Sequence, residues 1–197
     1  MKEFIEKFKK ATFENDVYLV PAKILEEQDS LLIHFQVFLV DTTDLVQEWK
    51  VTCSETIDYQ HNFEYIEDLN VYQDHVLLWK ANQEQAQLFF KGTPQNTNEL
   101  VGELYIKHQE VTQGWIPFGT FLNGPLEWLI KGGDGLLASG PLPLLQVYQT
   151  VLNSFGISTS LLSKGKTHQP YQVLVFATSY VVAKEFQFEM MAIDKRN

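Results

Sequence analysis

Leu31-Leu32-Ile33-His34-Phe35-Gln36-Val37-Phe38-Leu39-Val40 decides how the rest of the chain is read. Ile33, Phe35, Val37 and Leu39 fall on one side of a period-2 pattern, and Phe38 and Val40 fall on the other. Apolar side chains on both sides, rich in branched and aromatic types, predict a central strand covered on both faces. The polar Glu26-Glu27-Gln28-Asp29-Ser30 precedes it, so Val17 to Leu25 is expected to form the other arm of a hairpin. Pro21 places that arm at a sheet edge, because proline cannot donate to a ladder.

Alternation continues downstream. Leu45, Trp49, Val51 and Cys53 share one face, and Glu48, Lys50, Thr52 and Ser54 share the other. His75 to Lys80 and Ala86 to Lys91, on either side of Ala81-Asn82-Gln83-Glu84-Gln85, predict a second hairpin. Tyr171 to Ala177 and Tyr180 to Met191 read as further strands from their Val, Tyr and Phe content.

Other segments carry a helical period. Phe4, Ile5, Phe8 and Ala11 predict an amphipathic helix over 3–13, supported by Glu3/Lys7 and Glu6/Lys10 pairs. Asn96 followed by Glu99 forms a capping pair ahead of Leu100, Leu104, His108 and Val111, with a stop at Gly114. Asn123-Gly124-Pro125 opens a short helix that Gly132-Gly133 closes. Ser139-Gly140-Pro141 is expected to open another, with Leu144, Leu145, Tyr148, Val151, Leu152 and Phe155 as its stripe and Gly156 as its end. The expected fold is α+β: a mainly antiparallel sheet with an N-terminal helix and a cluster of helices at about 99–155 before the C-terminal strands. No linker-like composition interrupts the chain, so residues 1–197 are expected to form a single domain.

The 197 residues carry 25 acidic and 15 basic side chains, a formal charge of −10. An acidic chain is a poor ligand for nucleic acid, whose binding rests on Lys and Arg neutralising phosphates. No stretch of about 18 apolar residues predicts a membrane span, and the first ten residues lack the apolar run of a secretory signal. One cysteine cannot form an internal disulfide, and a reducing, cytoplasmic setting is expected. The charge is uneven: residues 1–110 hold 20 acids and 9 bases, the remainder 5 acids and 6 bases. Between Val111 and Ser163 only Glu127, Lys131 and Asp134 are charged, while 8 of the 11 glycines lie there.

Chemistry-bearing motifs are few. Gly-x-Ser-x-Gly is absent, and Ser139 reads as a turn or capping residue. Cys53 sits on the inward face of a strand, where a thiol is inert. Lys131-Gly132-Gly133-Asp134-Gly135 holds the glycines of a phosphate cradle but matches neither nucleotide-binding spacing, and Asp134 repels anions. The five histidines are scattered, His108 on the apolar stripe of its helix reads as a satisfied core histidine, and Asp68, Asn70, Tyr72 and Asp74 lack the glycine and glutamate of a calcium loop. No metal or cofactor is therefore expected.

Two functions fit these residues. The first is a non-catalytic protein-interaction or self-associating module that binds a partner or its own copy through the uncharged segment, with Trp115 and Trp128 as anchors. The second is a small-molecule binder or enzyme with an apolar pocket between sheet and helices, in which His108, Lys131, Gly133 and Asp134 supply the polar and turn positions.

Overall fold

The computed structural model describes residues 5–6, 10, 17–62, 66, 68–165 and 170–192. The chain divides into two compact units: residues 1–75 with 170–197, and residues 76–169.

Unit 1 is built from two four-stranded antiparallel sheets. The first has the order β1 (Val17–Glu27), β2 (Ser30–Leu39), β3 (Leu45–Ser54) and β11 (Glu185–Met191). The second has the order β4 (Asp58–Gln60), β10 (Ser179–Ala183), β9 (Gln172–Phe176) and β5 (Leu69–Tyr72). The expected hairpin is present, with Glu27 opposite Ser30 and Gln28 at φ 42° in the turn. β1 lies at the edge and breaks register between Pro21 and Lys23, where the missing amide donor falls. β2 is central, and Ile33, Phe35 and Val37 are buried. They join Val51 and Cys53 from β3 and Leu174, Phe176 and Val181 from the second sheet in one core. Phe35 and Phe176 meet edge to face, their centroids 5.4 Å apart.

Unit 2 places four helices with a three-stranded antiparallel sheet of order β7 (Asp134–Pro141), β6 (Gln85–Lys91) and β8 (Ser158–Ser163). A 3₁₀ turn at Val76–Leu78 leads into the one-turn helix α1 (Trp79–Asn82). The larger helices are α2 (Thr97–Thr112), α3 (Leu126–Gly132) and α4 (Leu142–Ser154). Asn96 caps α2 by accepting from the Glu99 amide at 3.2 Å, and Gln113 ends it in the left-handed region. Leu88, Phe90, Leu100, Leu104, Ile130, Leu137, Leu145, Tyr148 and Leu152 share the core.

The expected fold class requires correction. The described residues are mostly antiparallel sheet, 11 strands in three sheets, with four short helices, and the first element is a strand. The helix expected over 3–13 lies almost wholly outside the described residues. The helices at 97–154 do not form an uninterrupted cluster, because β7 runs between α3 and α4. The helix expected after Ser139-Gly140-Pro141 is present as α4, with Pro141 as its N-cap, while the triplet itself ends β7 opposite Gln87, Ala86 and Gln85. His75 to Lys80 is a helical turn rather than a hairpin arm. The strand expected over 180–191 is two strands in different sheets, separated at Lys184.

Two glycines give opposite expectations. A Cβ on Gly140 would stand 2.6 Å from Cδ1 of Phe121, whose carbonyl accepts from the Ser139 amide at 2.9 Å. Gly140→Ala is expected to lower the unfolding free energy by about 1–3 kcal/mol, as overpacking does. Gly102 lies inside α2 with nothing within 4 Å of a Cβ. Gly102→Ala is expected to raise stability by about 0.5–1 kcal/mol, because glycine loses more backbone freedom in a helix. Denaturant melts of the two variants check both signs.

Candidate functional site

Unit 2 contains the residues singled out from the sequence, and the structure separates them. Helix α3 follows Pro125, which serves as its N-cap, and ends where the Gly133 amide donates to the Ile130 carbonyl at 3.2 Å. Gly133 has φ 78°, a conformation in which a side chain would be strained. Leu126 and Ile130, one turn apart, are buried, which turns the intervening Trp128 outward. Trp128 is 77% exposed, the most exposed large apolar side chain among the described residues. An indole of ~200 Å² gains about 4–5 kcal/mol when that area leaves water, at ~25 cal/mol per Å². Tyr105 and Ile106 on α2 and Leu162 on β8 are each at least half exposed. Trp115, in contrast, is half-buried, and its amide donates to the Thr112 carbonyl at 3.1 Å.

Lys131 and Asp134 are exposed. Lys131 occupies the last turn of α3, where its charge complements the helix dipole. Asp134 opens β7 directly across the ladder from Lys91. Gly133 holds the turn, its carbonyl accepting from the Gly92 amide at 2.7 Å. These three positions therefore build a helix-to-strand turn with charged side chains in solvent.

His108 is fully buried and lies in the core, where its place on the apolar stripe of α2 puts it. Its Nε2 is 2.6 Å from the Ile116 carbonyl oxygen, and its Nδ1 is 2.7 Å from the Tyr148 hydroxyl. A carbonyl only accepts, so Nε2 carries the proton and the Tyr148 O–H donates to Nδ1. The ring is neutral with both nitrogens occupied, and Phe118 packs edge-on against it at 5.4 Å. Burial pushes the His108 pKa below its ordinary value, opposed by the bond to the Ile116 carbonyl. Burial likewise pushes the Tyr148 phenol up. This pair ties α2 to α4 and to the loop that follows α2. It offers no free proton-transfer group.

Unit 1 holds two further features. Cys53 is completely buried and its thiol is pushed up to about 12 by desolvation, so it is not a nucleophile near neutrality. A cavity of about 290 Å³ opens beside the β1–β2 turn, lined by Glu26, Asp29, Asp58, Tyr59 and neighbouring residues. Tyr59 donates to the Glu26 carboxylate, and the Tyr180 hydroxyl donates to Asp58 Oδ2 at 3.3 Å. Burial, reinforced by Asp58, pushes the Tyr180 phenol up to about 12. This cavity is not legible in the sequence, because Glu26 and Asp58 lie in strands of different sheets that meet only in the folded unit, through the Tyr59–Glu26 bond and the Thr56 amide donating to the Asp29 carbonyl. A second cavity, about 530 Å³ in unit 2, is lined by Thr93, Gln95, Asn96, Glu99, Ser154, Phe155 and Gly156. Neither cavity is lined by His108, Lys131 or Asp134.

Among the described residues, no three His, Cys, Asp or Glu side chains gather to hold a metal ion. No described helix is long and apolar enough to cross a membrane. The chain matches no family model, no curated protein and no solved structure.

The His108 arrangement sets a pH dependence. The unfolded imidazole takes up a proton below about pH 6.5, whereas the folded ring resists protonation until a lower pH. Its contribution is fully present above pH 6.5 and is lost as pH falls through the folded value. Unfolding free energies at pH 7.5 and 5.5 are expected to differ more in the native chain than in His108→Gln. The variant is also expected to lose about 1–3 kcal/mol at both pH values through broken buried hydrogen bonds.

Proposed function

We propose that this chain is a non-catalytic protein-interaction or self-associating module that uses the charge-poor surface of unit 2. The observation that carries the reading is Trp128, held outward on a capped helix with 77% of its surface in water. An indole fixed in that position is the anchor type that dominates interface energetics once covered. Charge supports the same reading. Residues 76–169 contain six Lys and six acidic side chains, so unit 2 is formally neutral and the whole excess of ten acids belongs to unit 1. Unit 1 then keeps the molecule dispersed while unit 2 meets a partner without net repulsion. A cytoplasmic setting belongs to the same proposal, on the strength of the single, buried thiol.

The pocket reading draws no support from its own residues, since His108 is saturated in the core while Lys131 and Asp134 stand in solvent. Co-purification from the host and light scattering test the proposal. Trp128→Ala is expected to leave the unfolding free energy within about 0.5 kcal/mol, as exposed substitutions do, and to weaken association at least tenfold. A chain that is monomeric and captures nothing overturns the reading.

A further inference from the structure

Six strands form sheet edges among the described residues: β1, β11, β4, β5, β7 and β8. Five carry a feature that discourages pairing with another chain. β1 has Pro21, a register break and a bridge from Leu19 to Ile66. β11 carries Glu185 and Glu189, and β4 and β5 are only three and four residues long. β7 is covered by the strand-like Phe121 to Asn123, with the Asn123 amide donating to the Leu137 carbonyl at 2.9 Å. Among the described residues, β8 has no such feature. Its six residues, Ser158-Thr159-Ser160-Leu161-Leu162-Ser163, include no charge and no proline.

The orientation of its backbone follows from the ladder. The Lys164 amide donates to the Gln85 carbonyl at 2.7 Å, and Leu162 and Ser160 lie opposite Gln87 and Phe89. Antiparallel ladders alternate, so Ser158, Ser160 and Leu162 direct their amides and carbonyls at β6. Those of Thr159, Leu161 and Ser163 point outward along the free edge.

We infer that β8 pairs with β8 of a second copy, antiparallel about a two-fold axis, an inference that rests on the reading of unit 2 as the association surface. Two observations select a second copy as the occupant. Each chain carries −10, all of it in unit 1, so two copies approach with least repulsion through their neutral units. The ladder is also self-complementary. Thr159 and Leu161 are half-buried, whereas Ser158, Ser160 and Leu162 are exposed, so pairing must keep those two faces distinct. Of the registers that do so, the one with Leu161 opposite Leu161 engages all three outward residues of each copy, in about six hydrogen bonds. It sets Thr159 against Ser163 and Ser160 against Leu162, covering a leucine that is 53% exposed. So short an edge buries less than the ~1,200 Å² of a stable interface, so the dimer is weak and concentration-dependent.

Sedimentation velocity on the full chain from about 1 to about 500 µM tests this, a range spanning weak self-association. The expected mass rises from 22.8 kDa toward twice that value. Leu162→Lys, which adds a charge at the edge, and Ser163→Pro, which removes an outward amide, are each expected to remain monomeric with unchanged circular dichroism. A mixture of Ser160→Cys and Leu162→Cys chains is expected to form a disulfide-linked dimer under mild oxidation, and neither variant alone is. A native chain that stays monomeric overturns the inference. So does a dimer insensitive to both edge variants that forms no mixed crosslink, although that result leaves the association module standing. Dissociation by Trp128→Ala, with no effect of the edge variants, moves the interface to α3 and also overturns the pairing. Monomeric behaviour together with failure to capture any partner removes both proposals.

Discussion

The pairing of β5 with β9 is the constraint on which unit 1 depends. Leu69 lies opposite Phe176 and Tyr72 opposite Val173, yet residues 76–169 intervene between these strands. The inward faces of β2 and β3 are buried by Leu174, Phe176, Val181 and Phe186, all beyond that insertion. Without the returning segment, Ile33, Phe35 and Val51 would face water. Closing a connection of this length costs chain entropy, but the cost grows only with the logarithm of length. Burial of the shared core offsets it. An insertion whose own ends must serve adjacent antiparallel strands is therefore compatible with the sheet, provided that it forms its own core.

Unit 2 forms that core by a different principle. Its sheet has three strands, and helices α2 and α4 are joined by a polar link in the interior. The Tyr148–His108–Ile116 chain satisfies every hydrogen-bonding group of the buried imidazole, which makes a buried histidine affordable in an apolar setting. The same saturation removes it from chemistry. The division of charge follows the division into units rather than the boundary near residue 110 that a linear count suggests. Only the fold shows that the neutral segment begins at residue 76 and includes β6 and α2.

Several elements were legible in the sequence for reasons the structure makes plain. β2, the Gln28 turn, the Asn96 cap and the Gly133 stop are determined by residues close together in the chain. Other readings failed where distant partners prevailed. Ser139-Gly140-Pro141 leads into α4 as read, with Pro141 as its N-cap, but the triplet itself is strand, because β6 pairs with it. His75 to Lys80 has the apolar content of a strand, but no strand pairs with it among the described residues. Of the residues singled out for a site, Trp128 stands at the surface, Trp115 is half-buried, His108 is core, and Lys131, Gly133 and Asp134 form a turn. The acidic cavity and the β8 edge went unread, because the first forms where two sheets meet and the second requires knowing what a strand pairs with.

The sequence by itself determined the antiparallel character of unit 1, the capped helices, the inward thiol and the concentration of acids away from the glycine-rich segment. These follow from side-chain period, backbone preference and charge, which are local properties. Tertiary structure alone decided that two strand-rich segments share one core, that the intervening 94 residues fold as a neutral unit, and which strands lie at sheet edges. Those outcomes depend on hydrogen-bond partners and burial, which only the folded arrangement of distant residues supplies.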